Sequence, residues 1–304
     1  MRPKSAGNIR PLTPWRRLNS SAFCGLIAAF EDYALYWLWL TIRRAIAVGY
    51  MTDGMASSTS ENKYNMMSVP FESVDGKGIS LNDINFAGRT IALTSGGADI
   101  VMFWKPDVQN YEQYYYYGYP GYEAQLPPEW KTIVGNNSFD TVHPEGIAPG
   151  TVFWYYSFKT TANQAMTSSG AVPAESYQTF TITHKVGENT YYFIANPYPS
   201  NANLAYKDGD VDWGKATYAL TSGGADIMMI WDAEAQNYVQ YYFYGYPGYE
   251  AQLPPEWKSI VGNRSFSADY PNGLPAGTGF WYLAFAATGS AVEQTIKFNS
   301  PLAK

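Results

Sequence analysis

Two glutamates recur on a loop that the chain uses twice. Gly118-Tyr-Pro-Gly-Tyr-Glu-Ala-Gln-Leu-Pro-Pro-Glu-Trp-Lys131 returns letter for letter at positions 245–258, so Glu123 and Glu129 are matched by Glu250 and Glu256. Two carboxyl groups flanking a glycosidic bond are what glycoside hydrolysis needs. Spacing along a loop does not set the separation that this chemistry requires. A glutamate beside Pro-Pro and Trp serves as readily to accept loop backbone N–H groups. Hydrolysis is therefore the third reading of these residues.

Other chemistry has less to work with. The chain has two histidines: His143 is matched by Tyr270, and His184 falls in the turn His184-Lys-Val-Gly187. A Ser-His-Asp or Cys-His site duplicated with the fold would carry a histidine in both copies. Cys24 is the single cysteine, which excludes intrachain disulfides and multi-cysteine metal sites. Ser95-Gly-Gly-Ala-Asp99 is a turn without the Gly-Lys-Ser/Thr of a phosphate loop. Asp208-Gly-Asp-Val-Asp212 has the alternating carboxylates of a calcium loop, but a solvated turn is the reading preferred. No catalytic residue, metal or cofactor is expected.

Aromatic residues offer recognition instead. In Tyr111–Tyr117, strand alternation puts Glu112, Tyr114 and Tyr116 on one face and Tyr111, Gln113, Tyr115 and Tyr117 on the other. In the second copy the first face becomes Val239, Tyr241 and Phe243, whereas Tyr238, Gln240, Tyr242 and Tyr244 keep every hydroxyl. The tolerant face suits a core. The retained face suits either a layer under the loop or a half-exposed platform for sugar rings or a protein. The candidate platform is Tyr115, Tyr117, Tyr122 and Trp130, with Tyr242, Tyr244, Tyr249 and Trp257. The plainer expectation is that Tyr119, Tyr122 and Trp130 fold back onto Tyr115 and Tyr117 as a satellite core.

These residues sit on a whole-domain duplication displaced by about 127 positions, in which Asp99, Trp104 and Trp154 match Asp226, Trp231 and Trp281. Short strands joined by Gly, Pro and Asn turns predict an all-β chain of two tandem antiparallel sandwich or barrel modules, at 64–185 and 186–304. Gln178–Ile182 is aligned with Gln294–Phe298, with an insertion in the first copy around 160–176. Thr90–Leu93 and Asp99–Trp104 are expected to flank a hairpin turn at Ser95-Gly-Gly97.

Aromatics make up 17% of the 304 residues and charged residues only 15%, which excludes a disordered chain. A net charge of −6 without a basic stripe argues against nucleic acid. Residues 1–58 are expected to lie outside the fold, as an export signal, with cleavage at Ala45-Ile-Ala47 or Gly54-Met-Ala56, or as a non-native leader. Their longest clean apolar segment, Tyr33 to Ile42, is too short to span a membrane.

One series in the second module has a wider likeness. Asn196-Pro-Tyr-Pro-Ser200, Asp212-Trp213, Trp231-Asp232, Tyr238 with Tyr241, and Pro275-Ala-Gly-Thr-Gly-Phe-Trp281 resemble an aromatic β-module of secreted and cell-surface bacterial proteins, some of them type IX-secreted. The first module matches more weakly, with Val69-Pro-Phe71 at the Asn-Pro-Tyr position. The resemblance implies an extracellular or surface location and no agreed activity. The expected function is a non-enzymatic structural or adhesive protein whose partner is a glycan or a surface or matrix protein. The alternative is a pair of carbohydrate-binding modules.

Overall fold

Alternating apolar residues let each strand bury one face, and turns rich in Gly, Pro and Asn keep the strands short. The computed structural model describes residues 47–303 apart from Asp107 and Gln109. In the first half the strands are β1 (Val48–Met55), β2 (Lys63–Ser68), β3 (Asn85–Ala87), β4 (Ile100–Lys105), β5 (Asn110–Tyr117), β6 (Glu129–Thr132), β7 (Val152–Ser157) and β8 (Gln164–Ala171). The second half has β9 (Tyr177–His184), β10 (Thr190–Ala195), β11 (Val211–Asp212), β12 (Ile227–Asp232), β13 (Asn237–Tyr244), β14 (Glu256–Ser259), β15 (Gly279–Ala284) and β16 (Val292–Asn299).

Each half is an antiparallel sandwich. A five-stranded sheet in the order β2-β7-β4-β5-β6 covers a three-stranded sheet, β1-β8-β3; the second half repeats this as β10-β15-β12-β13-β14 over β11-β16-β9. Between the first pair lie Phe86, Val101, Tyr114, Tyr116, Trp130, Tyr155 and Met166. Between the second lie Trp213, Met228, Tyr241, Phe243, Trp257, Tyr282 and Ile296. The all-β tandem architecture expected from the sequence is the one observed.

The strand bookkeeping differs in four places, the first three for one reason. Val48–Met55, placed outside the fold with the rest of 1–58, is β1, paired along its whole length with β8. Gln178–Ile182 is not the counterpart of Gln294–Phe298; it belongs to β9, the strand paired with β16. About half of the supposed insertion at 160–176 is β8, so the two halves divide between Ala171 and Tyr177. The reason is common to all three: the three-stranded sheet closes by joining the first and last strands of each half. Finally, Ser95–Gly97 is a 3-10 turn, and Ala92 bridges in parallel to Tyr117. The preceding segment thus runs beside the root of the repeated loop and does not pair with β4.

The two halves pack through the outer faces of their five-stranded sheets. Trp104 lies 5.4 Å from Trp281, and Trp154 lies 5.1 Å from Trp231, ring centre to ring centre. Position 104 touches the partner of 154, and 154 touches the partner of 104, which is the isologous pattern of a two-fold dimer within one chain. Glycines let side chains of the other half approach the backbone: Gly150 meets Phe180 and Pro197, while its counterpart Gly277 meets Met51 and Asp53. Ser68 Oγ donates to the Gly277 carbonyl at 2.9 Å across the same seam.

That seam places Asp53 where Phe180 stands in the second half. Its carboxylate has no hydrogen-bond partner among the described residues, and burial lifts its pKa to about 6. A raised carboxyl pKa means stability that is complete below the unfolded value near 4 and is lost as pH rises through 6. Asp53→Asn should therefore raise the stability at pH 7 by about 2 kcal/mol and leave it unchanged at pH 3.5. Thermal denaturation of both proteins across that range tests this; a constant difference at every pH contradicts it.

Candidate functional site

The repeated loop leaves β5 at Tyr117 and returns as β6 at Glu129. Positive φ at Gly121 (+85°) and at Gly248 (+87°) makes the same turn in both copies. Glu123 Oε1 accepts the Gly121 N–H at 2.9 Å, and Glu250 Oε1 accepts the Gly248 N–H at 2.8 Å. The Leu126 and Leu253 N–H groups donate back to the Tyr122 and Tyr249 carbonyls. Each loop is thus closed by its own carboxylate and backbone.

At the tip of each loop two tyrosines stand together in solvent. Tyr119 and Tyr122 have ring centres 4.9 Å apart and are 44% and 55% exposed; Tyr246 and Tyr249 are 4.8 Å apart and equally exposed. Neither pair folds back as a satellite core. Of the eight platform residues, only Tyr122 and Tyr249 are exposed. Tyr115 and Tyr242 are buried, their hydroxyls donating to Asn136 and Asn263 at 2.9 Å. Lys131 lies over the Tyr117 ring at 4.3 Å and Lys258 over Tyr244 at 4.0 Å, which leaves those faces covered.

Trp130 and Trp257 correct the platform most clearly, because both are in the cores. Trp130 pairs across the ladder with Tyr116, and Trp257 with Phe243, so each shares the inward face of its partner. The Pro-Pro that precedes them suggested loop, whereas the strand begins at the very next residue.

The carboxylates are engaged in holding structure. The Gly121 N–H keeps the Glu123 carboxyl below its ordinary range; the Tyr218 hydroxyl and the Gly248 N–H do the same for Glu250. Tyr218, correspondingly, is pushed up to about 12 by burial and by Glu250. Glu129 and Glu256 pair with Lys131 at 3.1 Å and Lys258 at 3.2 Å. A general acid for glycoside cleavage needs a raised pKa. Asp210 accepts the Asn203 N–H at 2.8 Å and Asp212 the Gly214 N–H at 2.9 Å, so the supposed calcium run ties its own loop.

Sequence reading missed two clusters. His184 is not in a turn but ends β9 in the core, its ring nitrogens 2.8 Å from the Phe285 carbonyl and 2.7 Å from Gln294 Oε1. His143 lies between Glu112 and Glu145, 3.0 Å from each. Neither histidine adjoins a serine or cysteine nucleophile in these contacts. The third missed feature is a groove of about 780 Å³ in the second half, beside Tyr206 and Tyr270.

Comparison with protein families, with curated proteins and with solved structures finds no match. Among the described residues, no helix is long and apolar enough to cross a membrane.

Proposed function

We propose that the chain is a non-enzymatic interaction protein of the cell surface or extracellular space, which adheres to a surface or matrix protein through its two repeated loops. The observation that carries this reading is the duplicated tyrosine pair. Four exposed rings, Tyr119, Tyr122, Tyr246 and Tyr249, stand on loops identical in sequence and closed in the same way. Tyrosine gives large contact area and a polar tip for little loss of side-chain freedom, which suits an interface. The carboxylates that could have made the loop catalytic are held below their ordinary pKa range or paired with lysine. The likeness to surface modules of bacteria supports the location.

A test uses immobilised fibronectin and collagen, with bare surface as reference. The full chain should be retained on at least one of the two proteins. The variant Tyr119→Ala/Tyr122→Ala/Tyr246→Ala/Tyr249→Ala should lose at least about tenfold in apparent affinity, about 1.4 kcal/mol, at unchanged thermal stability. Retention unaffected by all four substitutions, or no retention on either protein, would overturn the assignment.

A further inference from the structure

The two halves differ at one place that neither repeat identity nor strand order reveals. Ile79 bridges Ile147 in the first half, and Ala202 bridges Leu274 in the same way in the second. From that bridge to the next equivalent core aromatic, the chain runs from Ile79 to Phe86 in one half and from Ala202 to Trp213 in the other, four residues longer. The first half has its extra residues earlier, between Phe71 and Ile79. The two differences cancel, which is why a constant displacement hides them.

In the first half the short connection narrows the space beside β6 to about 350 Å³, lined by Ser80, Asp140 and His143. Ser80 Oγ donates to Asp140, and Asn82 Nδ2 donates to Asp140 Oδ2 at 2.9 Å. Asn82 Oδ1 also takes the edge N–H of Trp130 at 3.0 Å. In the second half none of these ties exists. The longer loop is held to itself, Asn203 Oδ1 accepting the Ala205 N–H at 3.0 Å, and Ser267, in the place of Asp140, shares a hydrogen bond with Ser265. The Trp257 N–H, on the same strand edge as the Ser259 N–H that bonds Arg264, has no partner among the described residues. The space that is about 350 Å³ beside Asp140 and His143 in one half opens to the groove of about 780 Å³ beside their counterparts Ser267 and Tyr270 in the other.

We propose that this groove binds a neutral oligosaccharide, at a site separate from the repeated tyrosine tips. Its volume is in the range of small-ligand sites. Tyr206 is 42% exposed and offers a flat ring with a polar tip, the surface on which the C–H face of a sugar packs, while half-buried Tyr270, stacked on Phe266, lines the groove beside it. Asn272 has an exposed amide, Ser265 and Ser267 supply hydroxyls, and Trp257 supplies the open strand-edge donor. Among the charged lining residues Glu256 is neutralised by Lys258, which leaves Lys207 as a lone cation. That is too little positive charge for a phosphorylated or nucleic-acid ligand. A polyol with many hydroxyls and no charge matches this set of donors, acceptors and rings.

Titration of the full chain with cellohexaose, xylohexaose and mannohexaose, followed by calorimetry, tests the assignment, with decaproline as a peptide comparator for the proline-lined wall. At least one hexasaccharide should bind saturably. Tyr206→Ala should weaken it at least about tenfold and Asn272→Ala about threefold or more, both without change in thermal midpoint because the two side chains are exposed. Tyr122→Ala/Tyr249→Ala should leave the titration unaltered. No saturable binding of any of the three sugars, binding that survives Tyr206→Ala, or tighter binding of decaproline each overturns the proposal. Because the adhesive reading rests on other residues and another readout, either can fail while the other stands.

Discussion

Asp226→Ala is expected to lower the stability of the protein by at least about 3 kcal/mol, and Asp99→Ala to do the same. Each carboxylate is fully buried between the two sheets of its half. Asp99 accepts from the Thr90 and Phe158 backbone N–H groups at 2.8 and 2.7 Å, from the Tyr155 hydroxyl at 2.5 Å and from Gln164 at 2.9 Å. Asp226 repeats the arrangement with Thr217, Phe285 and the Tyr282 hydroxyl at 2.8, 2.8 and 2.5 Å. Burial raises both carboxyl pKa values, while the donors pull them back down. Alanine would strand three or four buried donors at about 1–3 kcal/mol each, partly offset by removing a buried charge. Asparagine keeps the shape but turns an N–H toward donors, so Asp99→Asn should also cost roughly 2 kcal/mol. Urea denaturation of the three variants measures this; midpoints equal to wild type would show that these buried carboxylates do not hold the fold.

A chain beginning at Ala47 should melt as the full chain does, whereas one beginning at Ser57 should lose at least about 4 kcal/mol or fail to stay soluble. The first described strand, β1, starts at Val48. The shorter chain lacks β1, whose register with β8 runs from Val48 opposite Ala171 to Met55 opposite Gln164. Without it Met166 and Ser168, both buried, come to a bare sheet edge, and Asn65 loses the Ala56 N–H and carbonyl that it holds at 2.7 and 3.1 Å. The contact of Met51 with Gly277 across the seam goes as well. Cleavage after Ala56 would thus remove β1 whole, whereas cleavage after Ala47 would leave the strand and take only the carbonyl that accepts the Val172 N–H at 2.7 Å. Equal melting temperatures for the two truncated chains would contradict the assignment of β1.

Much of the sandwich was legible because its strands alternate. Tyr114 and Tyr116 turn inward and Tyr115 and Tyr117 outward, as the exchange of Glu112 for Val239 and Tyr116 for Phe243 indicated. The β1 and β8 strands were not legible, because Gly49, Thr52, Gly54, Ser168 and Gly170 give them no hydrophobic period. Trp130 was misplaced because proline marks a break without saying how soon the next strand begins. Alternation also says that Trp104 and Trp154 face away from the core, but not that a second sheet covers them. The groove was hidden by two length differences of opposite sign, visible only when the Ile79 and Ala202 bridges are set side by side.

The central functional claim is that one chain presents two equivalent tyrosine tips. Its most direct measurement is the dissociation rate of the full chain from a dense layer of the matrix protein that retains it, compared with the two single-loop variants Tyr119→Ala/Tyr122→Ala and Tyr246→Ala/Tyr249→Ala. Two tips acting together should make each single-loop variant dissociate at least about tenfold faster than wild type, with the difference vanishing on a sparse layer that only one tip can reach. Single-loop variants that leave at the wild-type rate on the dense layer would contradict the claim.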